Sequence, residues 1–222
     1  MPGSCLLCQR PTRHTSGYCG LCIHTLPRNT SACACCALPL ASTSGIYCSR
    51  CLHRPRFQNA TVPWLYMGNI PALIHAFKFH AALPAATLLA ELLGKVFQPQ
   101  SSSWLLAVPQ HLQRARQRGF DHIDWLASLC PTTRRLPRIR ASRRYHTPPL
   151  RHLNRRQRLT LTRDAFELHD SVNGKHIVLL DDVMTTGATL HSLAKLCHQH
   201  GARSVEIVAI ARTPPFAWDR KA

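Results

Sequence analysis

The sequence predicts an α/β protein, a parallel sheet flanked by helices, with a small cysteine-rich module at its N-terminal end. Three observations carry that expectation. Toward the C-terminal end, an apolar run, a polar loop, an amphipathic helix and a second apolar run follow one another as a βαβ unit. Earlier, Trp104–Val108 reads as a strand stopped by Pro109, with a helix following around Asp121–Leu129. Nine of the eleven cysteines fall within the first 51 residues, where large apolar residues are few, so that segment needs another source of stability.

Eight of those cysteines form four Cys-x-x-Cys pairs: Cys5/Cys8, Cys19/Cys22, Cys33/Cys36 and Cys48/Cys51. Two residues between thiolates let both sulfurs reach one metal, and two such knuckles complete the four-thiolate shell of structural zinc. The simplest pairing joins first to second and third to fourth, giving two zinc sites, although counting alone leaves an interleaved arrangement open. Cys35 is the odd residue, a spare thiol or an alternate ligand. A disulfide framework would need an oxidising compartment, and Met1–Cys8 carries no secretory signal, so the expected location is cytoplasmic. Iron–sulfur ligation favours tighter clustering than this. Cys130 and Cys197 stand in apolar contexts as buried core residues.

The composition changes after His53-Arg54-Pro55-Arg56, which sets the expected domains at 1–55 and 56–222. Trp64–Tyr66 reads as a short strand, Pro71–Phe79 and Ala85–Phe97 as helices, and Gln98–Ser103 as a polar turn. The apolar stretch Ala81–Phe97 contains Pro84, Glu91, Gly94 and Lys95, which suits a packed helix better than a membrane span. In the βαβ unit, His176–Leu180 and Val205–Ala211 are the strands and Thr189–His200 the helix. Leu190, Leu193, Ala194 and Cys197 fall at i, i+3, i+4 and i+7, giving one apolar face to lay on the sheet. A site is expected at the C-terminal ends of these strands.

The segment HIVLLDDVMTTGATL supplies that site. Asp181 and Asp182 follow the strand, and Thr185, Thr186, Gly187, Ala188 and Thr189 form a small-residue loop that opens a helix. Gly187 permits a tight turn, while loop amides and the helix N-terminus make a phosphate cradle to which the threonine hydroxyls can add. The acids can accept hydrogen bonds from vicinal hydroxyls and help a divalent cation sit nearby, so a ribose 5-phosphate fits. The loop is neither a Walker A sequence nor the three-glycine dinucleotide fingerprint.

VLLDDVMTTGATL resembles the phosphoribosyl-diphosphate motif of type I phosphoribosyltransferases. More narrowly, the four knuckles, Phe77-Lys78-Phe79, Val108-Pro109, Arg114 to Phe120 and the motif together resemble the ComF family of competence and DNA-utilisation proteins, also called GntX-like. The resemblance implies a type I phosphoribosyltransferase-like sheet behind a double zinc ribbon. It implies that Asp181 and Asp182 contact ribose hydroxyls and magnesium, that Thr185–Thr189 hold the 5-phosphate of phosphoribosyl diphosphate, and that Arg114, Arg118 and Gly119 contact the diphosphate. It also implies competence helicase or DNA-processing proteins as partners. Asp121, Leu150 and Leu161 depart from the family pattern, which has amides there, whereas Thr147, Leu153, Arg158 and Phe166 agree.

Lysine and arginine number 28 against 10 acids, a formal charge of +18, and the natural partner is a polyanion. Eleven arginines and no acid lie between Arg134 and Arg163, interspersed with Tyr145, His146 and His152. Arginine pairs bidentately with phosphate and stacks on bases, so Arg143, Arg144, Arg151, Arg155, Arg156 and Arg158 are candidates for contact with single-stranded DNA. A loop that closes over a small anionic ligand is the simpler alternative. Three functions compete: a DNA-handling accessory protein with a ribose-phosphate pocket, a phosphoribosyltransferase of nucleotide metabolism with an unknown acceptor, and a zinc-ribbon regulator reading one DNA sequence. The first accounts for most of the sequence. Nothing in the chain identifies an acceptor, and no element suited to sequence-specific reading is present.

Overall fold

The computed structural model describes residues 3–13, 17–41, 45–55, 57–110, 116, 118–144 and 165–214. Four short elements lie in the cysteine-rich part: β1 (Gly3–Ser4) antiparallel to β2 (Pro11–Thr12), α1 (Gly20–His24) and α2 (Ser49–His53). The main sheet follows with β3 (Asn59–Thr61), β4 (Trp64–Leu65), β5 (Ser103–Ala107), β8 (His176–Met184) and β9 (Ser204–Arg212). It is parallel throughout, in the order β3-β9-β8-β5, and β4 continues along the β9 edge that β3 occupies. Between β4 and β5 lie α3 (Ile70–His80) and α4 (Leu83–Val96), and α5 (His122–Leu129) follows β5. A small antiparallel pair, β6 (Ala141–Arg143) with β7 (Phe166–Leu168), precedes β8, and α6 (Ala188–Gln199) joins β8 to β9.

The two faces of the sheet are sorted by the alternation of side chains along each strand. Leu105, Val178, Leu180, Val208 and Ile210 pack under α3, α4 and α5, while Leu106, Ile177, Leu179, Ile207 and Ala209 pack under α6. The expected α6 face is the observed one, with Leu190, Leu193, Ala194 and Cys197 all buried. Strand β8 runs four residues past the expected apolar run, so both aspartates belong to its last turn of pairing rather than to the loop. Among the described residues, no helix is long and apolar enough to cross a membrane.

The cysteine pairs gather as the simplest spacing suggests. Cys5, Cys8, Cys19 and Cys22 form one set and Cys33, Cys36, Cys48 and Cys51 another, the sulfurs in each lying within 4.8 Å of one another. The separations Cys8–Cys19 at 3.7 Å and Cys36–Cys48 at 3.8 Å match the edge of about 3.8 Å of a tetrahedron with Zn–S bonds near 2.3 Å. They are far beyond a disulfide bond. Cys35 is no part of either set, since its buried thiol donates to the Phe57 carbonyl at 3.3 Å.

The two sets pack on opposite faces of the sheet. Cys5 and Cys22, with Tyr18 and Leu26, share a core with Phe77, Leu89 and Leu180. Cys33, Cys48 and Cys51, with Phe57, share the other with Leu179, Leu190 and Ile207. A bridge from Arg28 to Trp64 and the Asn29 amide on the Ala37 and Val62 carbonyls tie the module to the start of the sheet. Unfolding the module alone would therefore uncover apolar surface on both faces. Chelation of zinc is expected to lower the stability of the sheet as well, giving one shared thermal transition. A circular-dichroism melt in which the sheet signal keeps its midpoint after chelation would contradict this.

Candidate functional site: the β8–α6 loop and its buried supports

Asp181 and Asp182 lie near the C-terminal end of β8, which β9 and β5 flank. Asp182 is buried at 4% exposure and held from two sides. Its Oδ2 accepts from Lys78 Nζ at 2.5 Å and from His122 Nε2 at 3.1 Å, and its Oδ1 accepts from the Val183 amide at 2.7 Å. His122 Nδ1 lies 3.0 Å from Arg118 Nη1. Guanidinium can only donate, so Nδ1 is the acceptor and Nε2 carries the hydrogen given to Asp182. Burial opposes ionisation of Asp182, but the His122 hydrogen bond and the Lys78 charge outweigh it and hold its carboxyl well below the usual value. Asp181 is half-buried and accepts from the Asp182 amide at 2.9 Å. Burial, reinforced by the Asp182 charge, pushes its carboxyl well above the usual value.

The loop beyond is built as a cradle. Gly187 takes a left-handed φ of 72° and caps α6, and the Ala188 amide donates to Thr186 Oγ1 at 3.2 Å. A side chain at Gly187 would be strained by that φ and would meet Met184 Cε at 2.6 Å. Thr185, Thr186, Gly187, Ala188 and Thr189 are thus collected at the N-terminus of a 12-residue helix, next to the acids. Arg118 and Gly119 stand before α5, Arg118 reaching the site through His122 and Gly119 at φ 80°. Asp121 caps α5 by accepting from the Ile123 and Asp124 amides, a task asparagine performs equally well. Arg143 lies over the Phe166 ring, and Arg144 pairs with Glu167 on the β6–β7 pair. Arg114, Arg151, Arg155, Arg156 and Arg158 lie outside the described residues, as do Tyr145, His146, Thr147, Leu150, His152, Leu153 and Leu161.

Three supports were not singled out from the sequence as site residues. Lys78 comes from α3 and His122 from α5, more than fifty residues from the motif, and the only sequence signals for them were the Phe77-Lys78-Phe79 tripeptide and a histidine next to a cap. The third is Arg212, at the end of β9 and 3% exposed. Its Nη1 donates to the carbonyls of Met184, Thr185 and Thr213, and its Nε donates to the Cys36 carbonyl at 3.2 Å. Arg212 therefore joins the β8–α6 loop to the second thiolate set.

Comparison with known proteins agrees with this arrangement. Residues 1–52 match the double zinc ribbon domain and residues 132–217 the phosphoribosyl transferase domain. The chain is 32% identical to the DNA utilization protein YhgH of Salmonella typhimurium, over 96% of this chain and 98% of that one. It belongs to the ComF family of DNA utilization and competence proteins. Other ComF relatives include competence protein F of Haemophilus influenzae, 27% identical over 75% of this chain and 78% of that one. Competence protein ComFC of Bacillus subtilis is also 27% identical, over 70% and 65%. Among solved structures, a hypoxanthine phosphoribosyltransferase from Staphylococcus aureus superposes with a TM-score of 0.37 at 18% identity, over 58% of this chain and 64% of that one.

Two outcomes follow for the ComF site. Lys78→Met leaves the Asp182 charge buried without its ammonium, and is expected to cost about 3 kcal/mol, at the low end for a buried pair because Lys78 keeps 22% exposure. A carboxyl held below its unfolded value stabilises fully above about pH 4 and ceases to do so as pH falls through its folded value, so the wild-type advantage should shrink on acidification. Urea titrations at several pH values measure both. Arg212→Gln should accelerate hydrogen exchange at the Met184–Thr189 amides and cost about 3 kcal/mol, since several buried carbonyls lose their donor. Unchanged exchange there would show that the loop stands without Arg212.

Proposed function

We propose that this protein binds phosphoribosyl diphosphate, or a related ribose phosphate, at the β8–α6 loop and holds single-stranded DNA on its basic surface, acting in DNA uptake or utilisation. The observation that carries the small-ligand reading is the placement of the Thr185–Thr189 cradle at a helix N-terminus beside the Asp181–Asp182 pair. The 5-phosphate lies on the loop amides and threonine hydroxyls. Asp182 spends its oxygens on Lys78, His122 and the Val183 amide, so Asp181 is the acid presented to the ribose diol. Magnesium is the companion of the diphosphate in this reading, with Asp181 the acid that would share it. Arg118 and Gly119 border the space toward the diphosphate, with Arg114 assigned there by resemblance alone.

The strand-binding reading is supported by the +18 charge, by the acid-free arginine run from Arg134 to Arg163, and by relatives named for DNA utilization and competence. A cytoplasmic setting and contact with a competence helicase or DNA-processing protein complete this reading. One observation favours transfer chemistry as a second reading. A cavity of about 210 Å³ borders Thr186 and Gly187 and is closed by Leu38, Arg50, Phe57 and Met184, space in which an acceptor could approach a bound ribose.

Calorimetry with phosphoribosyl diphosphate and magnesium tests the pocket. Saturable binding is expected for the zinc-loaded wild type, with at least a tenfold loss in Asp181→Asn and unaltered affinity of that variant for single-stranded DNA. No binding by the wild type would overturn the pocket. Diphosphate release on addition of a nucleobase would turn the second reading into the first.

A further inference from the structure

Residues 77–79 of α3 turn three successive side chains in three directions, as a rotation of about 100° per residue requires. Phe77 is buried against His122 and Trp125, Lys78 reaches Asp182, and Phe79 is left 53% exposed beside the site. A single exposed phenylalanine on a surface needs no explanation. Phe79 is not single. The Arg118 guanidinium lies over its ring at 5.0 Å, the His75 ring is 4.8 Å from it, and the His80 ring is 5.2 Å from that of His75. Four planar groups thus stand in series, the Arg118 cation from the segment before α5 and Phe79, His75 and His80 from α3, a helix whose sequence IPALIHAFKFH contains no acid. The series is fixed at its inner end, because Arg118 also donates to His122 and through it to Asp182.

We infer that Phe79 and Arg118 form a stacking step for a nucleobase of a single strand at the mouth of the ribose-phosphate site. This rests on the strand-binding reading above and gives it a location. Aromatic rings and guanidinium planes accept any base through its π face, and surrounding positive charge holds the neighbouring phosphates. An apolar protein partner would have little use for a patch in which three of four planar groups are polar. In the sequence, the arginine run supplies charge with few aromatic residues, and Phe79 supplies an exposed aromatic ring.

The experiment measures binding of labelled oligothymidylate to the full-length, zinc-loaded protein, comparing wild type with Phe79→Ala, Phe79→Leu and Phe79→Trp. Unchanged melting midpoints confirm folding, as expected for a side chain this exposed. Alanine and leucine should each weaken binding about tenfold while leaving the slope against log salt unaltered, because a stack and no phosphate contact is lost. Tryptophan should preserve affinity, with its emission quenched by the strand. Wild-type affinity in both the alanine and leucine variants would overturn the step, as would leucine matching wild type while alanine fails, which would mark an apolar contact. Absence of strand binding by the wild type itself would remove the underlying reading and the step together.

Discussion

A guanidinium buried to 3% exposure has to spend its hydrogens on partners inside the protein, and Arg212 spends them on main-chain carbonyls from three parts of the chain. Burial pulls its pKa down, and the neighbouring Cys36 and Cys48 sulfurs oppose that pull. A four-thiolate zinc site carries a formal double negative charge, so the cation is compensated by a cluster it does not ligate. The β8–α6 loop, the last residue of β8 and the third knuckle are held by one side chain. The zinc module is therefore part of the wall of the pocket.

Much of this was legible in the sequence. Strands His176–Met184 and Ser204–Arg212, the helix between them and the two zinc sets are local patterns, written in consecutive residues or in fixed Cys-x-x-Cys steps. What was not legible depends on long separations. Strand β3, Asn59–Thr61, has no apolar run of its own and exists because β9 offers an edge. The β6–β7 pair joins a segment inside the arginine run to one just beyond it. Lys78 and Arg212 look like ordinary surface cations until the fold brings an acid to one and carbonyls to the other.

The departure of Asp121 from the family pattern loses its weight once its role is seen. An N-cap needs a short side-chain oxygen, and aspartate provides one, accepting from two amides of the helix that carries His122. The substitution keeps the element that aims His122 at Asp182. The surroundings of Asp182 are thus kept by a residue that does not itself touch it.

The strand that comes last in the sheet is also one of its interior strands. Ser204–Arg212 pairs with β8 on one edge and with β3 and β4 on the other, so among the described strands β3 and β4 join β8 only through it. Until that stretch is in place, β8 presents an unpaired edge and the N-terminal strands have nothing to join. During synthesis the chain must therefore wait, partly open, for its final strand, and a folding route dominated by such distant contacts is slow and exposed to misassociation. Loss of the C-terminal tenth of this protein would remove the keystone of the sheet, where in many folds it would only fray an end.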